Sequence, residues 1–233
     1  TVFVSFKNSV KHINNDNIIY SSCPSGERAM LMTKHNKEDL GFNRDKKLII
    51  IVMGSLGSMS VTEKLKDFLE TFDRSDSEIL FISGQNCFEA SKQFKTPSNV
   101  KILKFYNDLP ALMKDADIIV SRAGASTITE IISLEKLSIL IPSPFVANNH
   151  QYYNAKDIND NELGIMLEEK YLNKNTLSKE LDKLLTNEIE INKIKTNLKN
   201  NKKVDGVNII YNEIKNKGVL WVLRVKKLKK RRN

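Results

Sequence analysis

The sequence predicts an α/β fold, a Rossmann-like parallel sheet with helices on both faces, and three observations carry that prediction. Short, β-branched apolar runs recur at residues 2–4, 48–52, 79–82, 100–103, 118–120 and 139–141. Each has the length of a buried strand and lacks the polar alternation of a strand with one wet face. Between them lie segments with helical spacing of apolar residues, so strand and helix alternate along the chain.

Taken in order, residues 1–20 hold a strand, a short helix and another strand, fewer than the roughly 40 residues that fold unaided. They are expected to be a remnant of a preceding domain. Residues 21–46 show no clear periodicity and contain Pro24, Gly26 and Gly41, so they read as an interdomain linker. The main domain is expected over 47–200. Its helices are predicted at 61–72, where Val61, Leu65, Phe68, Leu69 and Phe72 share a face, and at 87–94, 109–114, 126–134 and 150–159. Beyond Thr176 the pattern is helical and rich in Lys and Asn, with a C-terminal helix at 201–217 and a basic tail at 218–233.

Composition excludes several classes. With 233 residues and 40% hydrophobic content the chain buries a sizeable core. The net charge of +9 lies mostly in the tail, where Arg224, Lys226, Lys227, Lys229, Lys230, Arg231 and Arg232 leave only +2 for everything before them. Two cysteines, Cys23 and Cys87, and three scattered histidines indicate neither a disulfide framework nor a metal site, and they suit a reducing cytoplasm. No apolar run of about 18 residues occurs. The opening TVFVSF lacks an initiator Met and a signal pattern, and reads as mid-domain sequence.

Three clusters carry chemistry. MGSLGS, at 53–58, follows a strand and precedes a helix, so a glycine turn and a helix N-terminus bring unpaired N–H groups to one point, as a phosphate requires. SRAGASTITE, at 121–130, repeats that arrangement. Ser126 or Thr127 serves as a cap or a phosphate donor, and Glu130, one turn along, has the carboxylate that a ribose diol needs. In PSPFVANNHQYYNA, at 142–155, Asn149, His150, Gln151 and Asn154 crowd a loop and a helix start, a set suited to a polyhydroxylated ligand. Alone, each of the first two is equally a plain turn or helix cap. Together, all three follow strands at their carboxyl ends, where open α/β sheets bind ligands. No Ser-His-Asp set or pair of poised carboxylates is visible, so the catalytic residues stay unassigned.

In order, IIIVMGSLGSMS, FISGQN, KFYNDLPALMKDADIIVSRAGASTITEI and IPSPFVANNHQYYNA resemble the C-terminal half of the MurG-type N-acetylglucosaminyltransferases. The resemblance runs from about residue 47 to about 185. The opening VFVSFKNSVKHINNDNIIYSSCP is similar to the end of that family's N-terminal domain. The resemblance implies a GT-B glycosyltransferase fold with two Rossmann-like domains. The implied activity is inverting transfer of N-acetylglucosamine from UDP-N-acetylglucosamine to undecaprenyl-linked N-acetylmuramyl-pentapeptide. It needs no cofactor or obligatory metal and takes place at the cytoplasmic face of the cell membrane. By position, Ser55 is implied beside the diphosphate with Ser126 and Thr127, the backbone at Phe105 and Tyr106 beside the uracil, Glu130 on the ribose, and His150 and Gln151 on the sugar with Asn154 nearby. The family's interdomain Gly-Asn-Pro and following Arg are replaced by SCPSGER, which leaves Arg28 as a loose counterpart. Its N-terminal glycine-rich loop and histidine have no counterpart here, so an acceptor-binding domain is expected upstream or on a partner chain.

The tail VLWVLRVKKLKKRRN departs from the family. Its cations suit an anionic membrane surface at about 1 kcal/mol per basic residue, and a solubilising tail or a shifted reading frame is the alternative. Nucleic-acid binding is not expected, because no aromatic stacking platform accompanies the basic run. Two other functions compete with transfer: a donor-binding subunit or inactive relic, and a related nucleotide-sugar enzyme such as a 2-epimerase or a glycolipid synthase.

Overall fold

The computed structural model describes residues 1–6, 10, 13–201 and 204–230, with side chains described through 218. Strands β1 (Val2–Val4) and β2 (Ile18–Tyr20) pair in parallel as a separate two-stranded sheet. The short helix expected between them lies outside the described residues. The predicted linker contains a helix, α1 (Ser25–Leu31), and a 3-10 turn at Lys37–Leu40. Its apolar pattern was too short to show. α1 docks through Gly26 and the fully buried Ala29, and a side chain on Gly26 would collide with Ser133 and Thr129.

The main sheet is entirely parallel. It is built from β3 (Lys47–Val52), β4 (Ser77–Ile82), β5 (Val100–Leu103), β6 (Ile118–Ser121), β7 (Leu137–Leu140) and β8 (Ile165–Met166), in the spatial order β5-β4-β3-β6-β7-β8. Ile49, Ile50 and Ile51 of β3 are fully buried, as its uninterrupted apolar run requires. β8 escaped the sequence reading because two residues make no readable run.

The connecting helices are α2 (Met59–Glu70), α3 (Phe88–Ser91), α4 (Leu109–Met113), α5 (Ala125–Ser133) and α6 (His150–Asp160). From β3 the chain winds outward through β4 to β5, and from β6 it winds the opposite way to β8. Right-handed crossovers therefore place α2 and α5 on opposite faces. α2 buries Val61, Leu65, Phe68 and Leu69, the face read from the sequence, at about 1.5–3 kcal/mol per fully buried large side chain. α7 (Lys174–Thr186) packs on α2 and on β7 through Leu177, Leu181, Leu184 and Leu185, and α8 (Glu188–Asn200) follows with Ile194 and Leu198.

α9 runs from Gly206 to Lys230, so the backbone shows no break at 218 where the basic tail was expected to begin. The side chains from 219 onward, and residues 231–233, lie outside the description. The start of α9 returns to α1 and to the N-terminal residue: Val207 N–H donates to Glu27 Oε1 (3.1 Å), and Thr1 Oγ1 donates to Glu213 (2.6 Å). Among the described residues no helix is long and apolar enough to cross a membrane.

Candidate functional site

β3 and β6 lie side by side but lead away in opposite directions, which opens a crevice at their carboxyl ends. The β3–α2 turn, MGSLGS, forms one wall. Gly57 (φ 82°) and Gly84 (φ 85°) pack against each other, and a side chain on Gly57 would run into the Ser83 carbonyl. The turn is laced to the end of β4 by Gln85 N–H to Ser55 O and Asn86 N–H to Leu56 O, both 3.0 Å. Ser55 itself is exposed at the crest.

The β6–α5 turn forms the other wall. The first internal bond of α5 is Ile128 N–H to Gly124 O (3.0 Å), and that of α2 is Thr62 N–H to Ser58 O (2.9 Å). The N–H groups before each bond have no intrahelical acceptor. Neither helix has a side-chain cap, whereas α7 and α8 are capped by Asn173 and Asn187. A side chain added at Gly54 or Gly124 would meet nothing within 4 Å, so both turns border open space. Two helix N-termini thus meet at one open crevice, an arrangement that favours an anion. Ser126 is exposed and Thr127 half-buried on the first turn of α5.

Glu130 lies one turn along α5, beneath α1. Burial pushes its pKa up to about 7, opposed by a hydrogen bond from Ser25 and by the charge of Arg28. Ser25 Oγ lies 3.1 Å from Ser126 O as well, and its one proton serves either acceptor in turn, so α1 brackets the start of α5. Arg28 makes an exposed ion pair with Asp108 (3.4 Å) in the β5–α4 loop, which joins that loop to the same corner. Phe105, in this loop, is 52% exposed. Tyr106 is turned inward, with its hydroxyl 3.0 Å from His35 Nδ1, and burial raises its pKa, helped by Asp39 and Asp108.

The β7–α6 loop completes the rim. Asn148 (φ 54°) and Asn149 (φ 51°) both adopt the left-handed conformation that Asn tolerates. His150 Nδ1 lies 2.9 Å from Ala147 O; a carbonyl only accepts, so Nδ1 donates, and in the neutral imidazole Nε2 of the exposed ring is the acceptor. Gln151 Oε1 accepts from Ser143 N–H (3.0 Å), leaving its amide NH2 as the group for a ligand. Asn154 was read as a neighbour of the sugar, yet it is only 8% exposed and its Nδ2 donates to Ala123 O (3.1 Å). It is a strut between α6 and the β6–α5 turn.

Sequence reasoning missed a buried set beneath these loops. Arg122 pairs with Glu169 (2.6 Å, side chains 11% and 6% exposed) and donates to Ser58 Oγ (2.7 Å). Arg122 belongs to the SRAGASTITE cluster, but nothing in the sequence signals its partner 47 residues on, in the short 3-10 turn Glu169–Tyr171. A cavity of about 780 Å³ lies elsewhere, lined by Tyr20, Cys23 and Glu27 and by Thr129, Ile132 and Ser133 of α5. It shares none of the predicted ligand residues. Among the described residues no group of three or more His, Cys, Asp or Glu side chains is placed to hold a metal.

Comparison with known proteins fits this geometry. The model of the glycosyltransferase family 28 C-terminal domain matches residues 48–210. The UDP-N-acetylglucosamine–N-acetylmuramyl-(pentapeptide) pyrophosphoryl-undecaprenol N-acetylglucosamine transferase 1 of Bacillus cereus is 33% identical over 221 residues, 93% of this chain and 60% of the relative. The corresponding transferase of Thermoanaerobacter sp. is 35% identical over 222 residues, 92% of this chain and 61% of the relative. The chain therefore spans about three fifths of the length of these relatives. Among solved structures, MurG of Acinetobacter baumannii superposes with a TM-score of 0.65 at 23% identity, covering 78% of this chain and 53% of that one. A UDP-N-acetylglucosamine 2-epimerase-like protein of Listeria monocytogenes gives 0.62 at 13% identity, covering 86% and 53%, a likeness of fold alone. With the family model matching residues 48–210, which include both crevice turns, the chain belongs to glycosyltransferase family 28 through its C-terminal domain.

Proposed function

We propose that this chain is the donor-binding half of an inverting transferase that moves N-acetylglucosamine from UDP-N-acetylglucosamine to undecaprenyl-linked N-acetylmuramyl-pentapeptide, a step of peptidoglycan synthesis. The observation that carries the reading is the meeting of two uncapped helix N-termini, α2 and α5, at the sheet's switch point, with Glu130 one turn along α5. The N–H groups there and the hydroxyls of Ser55, Ser126 and Thr127 take the diphosphate, whose leaving charge they stabilise. The Glu130 carboxylate accepts from both ribose hydroxyls. The backbone at Phe105 and Tyr106 takes the uracil, while His150 Nε2 and the Gln151 amide read the sugar hydroxyls. The names of the relatives support this choice of donor and acceptor.

Activation of the acceptor hydroxyl is assigned to an acceptor-binding unit, upstream in the same protein or on a partner chain. The protein works at the cytoplasmic membrane surface, and the seven cations of residues 224–232 contribute attraction to anionic lipid. Calorimetric titration of UDP-N-acetylglucosamine, UDP and UDP-galactose tests the donor reading. The expected result is a preference for the N-acetylglucosamine donor that weakens in Glu130→Ala. A folded sample that binds none of the three refutes it.

A further inference from the structure

At the end of β6, Arg122 stands where a cation would be expected to meet the diphosphate, yet its guanidinium is already committed. One terminal nitrogen pairs with Glu169 Oε2 (2.6 Å) and reaches the Ile141 carbonyl (3.2 Å), and the other terminal nitrogen donates to Ser58 Oγ (2.7 Å). Ser60 Oγ donates to Glu169 Oε1 (2.6 Å) and lies 3.3 Å from Ser58 Oγ. Because Ser60 spends its proton on the carboxylate, it accepts from Ser58. A closed circuit results: Arg122 donates to Ser58, Ser58 to Ser60 and Ser60 to Glu169 Oε1, while the ion pair between Arg122 and Glu169 Oε2 joins its two ends. Lys64 fixes the far side through the Glu169 carbonyl (2.6 Å).

We infer that Arg122 and Glu169 are positioning residues for the donor: their buried pair holds the β3–α2 turn against the β6–α5 turn and keeps the arginine's charge off the diphosphate. The inference rests on the donor reading above and assigns a role to two residues outside the ligand's contacts. The circuit diverts Ser58, the residue at the N-cap position of α2, from capping its own helix. The N–H groups of that helix stay open toward the crevice as a result. It ties four segments together: the β3–α2 turn, the ends of β6 and β7, and the turn after β8. Removing either charge would strand the other in a dry site, where an unpaired ion is poorly tolerated.

The test compares the whole chain with Glu169→Gln, which removes the anion at constant shape, and Ser60→Ala, which opens the circuit without changing any charge. Calorimetry with UDP-N-acetylglucosamine at two salt concentrations is combined with amide hydrogen exchange on the ligand-free protein. Glu169→Gln is expected to weaken donor binding roughly tenfold, about the value of one ligand hydrogen bond lost through misplacement. Exchange should accelerate in residues 53–58 and 122–127 together, and Ser60→Ala should give smaller shifts in the same directions.

A lower melting temperature with unchanged affinity and unchanged exchange in both turns overturns the inference, since the pair would then be structural only. Tighter binding with steeper salt dependence in Glu169→Gln also overturns it, because the freed arginine would then be a direct ligand of the diphosphate. If the unmodified chain binds no UDP-N-acetylglucosamine, the donor reading fails on its own. The exchange data still decide whether the pair couples the two turns.

Discussion

Donor affinity should rise with pH, and Glu130 sets the slope. The carboxyl is held protonated up to about pH 7 by its burial between α5 and α1. A protonated carboxyl cannot accept from both ribose hydroxyls at full strength, whereas the carboxylate can, so binding releases a proton. The ionised fraction is roughly one tenth at pH 6 and nine tenths at pH 8, which makes the association constant about tenfold larger at the higher pH and flat beyond it. Calorimetry in buffers of different ionisation enthalpy should count about half a proton released per donor bound near pH 7. UDP-N-acetylglucosamine is the right probe because its diphosphate is a diester with no group of its own titrating there. Glu130→Gln should bind weakly and without the slope, while His150→Gln should keep it. The stability of the free protein should run the other way. The folded state keeps a proton that the unfolded chain loses near its ordinary carboxyl value, so stability falls as pH rises through the window from about 4.5 to about 7. A donor affinity flat from pH 6 to 8, or an identical slope in Glu130→Gln, would refute the reasoning.

Three further outcomes follow from the geometry. Gly57→Ala combines the left-handed φ penalty of about 1–2 kcal/mol with a collision against the Ser83 carbonyl, while Gly54→Ala bears only the penalty, so Gly57→Ala should melt several degrees lower; equal melting temperatures would contradict the packing. Asn154→Ala leaves the buried Ala123 carbonyl without its donor, at about 1–3 kcal/mol, and thermal denaturation should show it together with weaker binding of UDP as well as of the sugar nucleotide. Gln151→Ala and His150→Ala should weaken UDP-N-acetylglucosamine but leave UDP unchanged; parallel losses for both ligands would move these residues off the sugar.

The parallel sheet was legible because a strand buried on both faces must be apolar throughout, and residues 48–52 and 118–120 carry that mark without ambiguity. α1 was not legible. A seven-residue helix that docks through Gly26 and Ala29 has no amphipathic stripe to read, and its Pro and Gly suggested a linker. For the site, position relative to strand ends was enough to bring both glycine turns and Glu130 to one crevice. What a side chain does once there depends on partners distant in sequence. Asn154 reads as one more amide in a polar loop, and only the fold reveals the Ala123 carbonyl opposite it. Arg122 has no readable role in its motif until Glu169, on the far side of β8, is brought beside it.

That pairing bears on how the crevice handles charge. In the proposed donor complex a diphosphate and an ionised Glu130 are like charges on the first two turns of one helix, and each makes the other harder to accommodate. With Arg122 neutralised by Glu169, compensation falls to the dipoles of α2 and α5 and to Arg28, whose charge already lowers the cost of ionising Glu130. Arg28 stands on α1, the helix that also delivers Ser25 to Glu130, so the segment that reads as a spacer in the sequence supplies both groups that favour the carboxylate. The departure from the family pattern at SCPSGER therefore falls at the point where the carboxylate proposed for the ribose is tuned. A change there would be felt first in the pH dependence of donor binding rather than in the fold of the sheet.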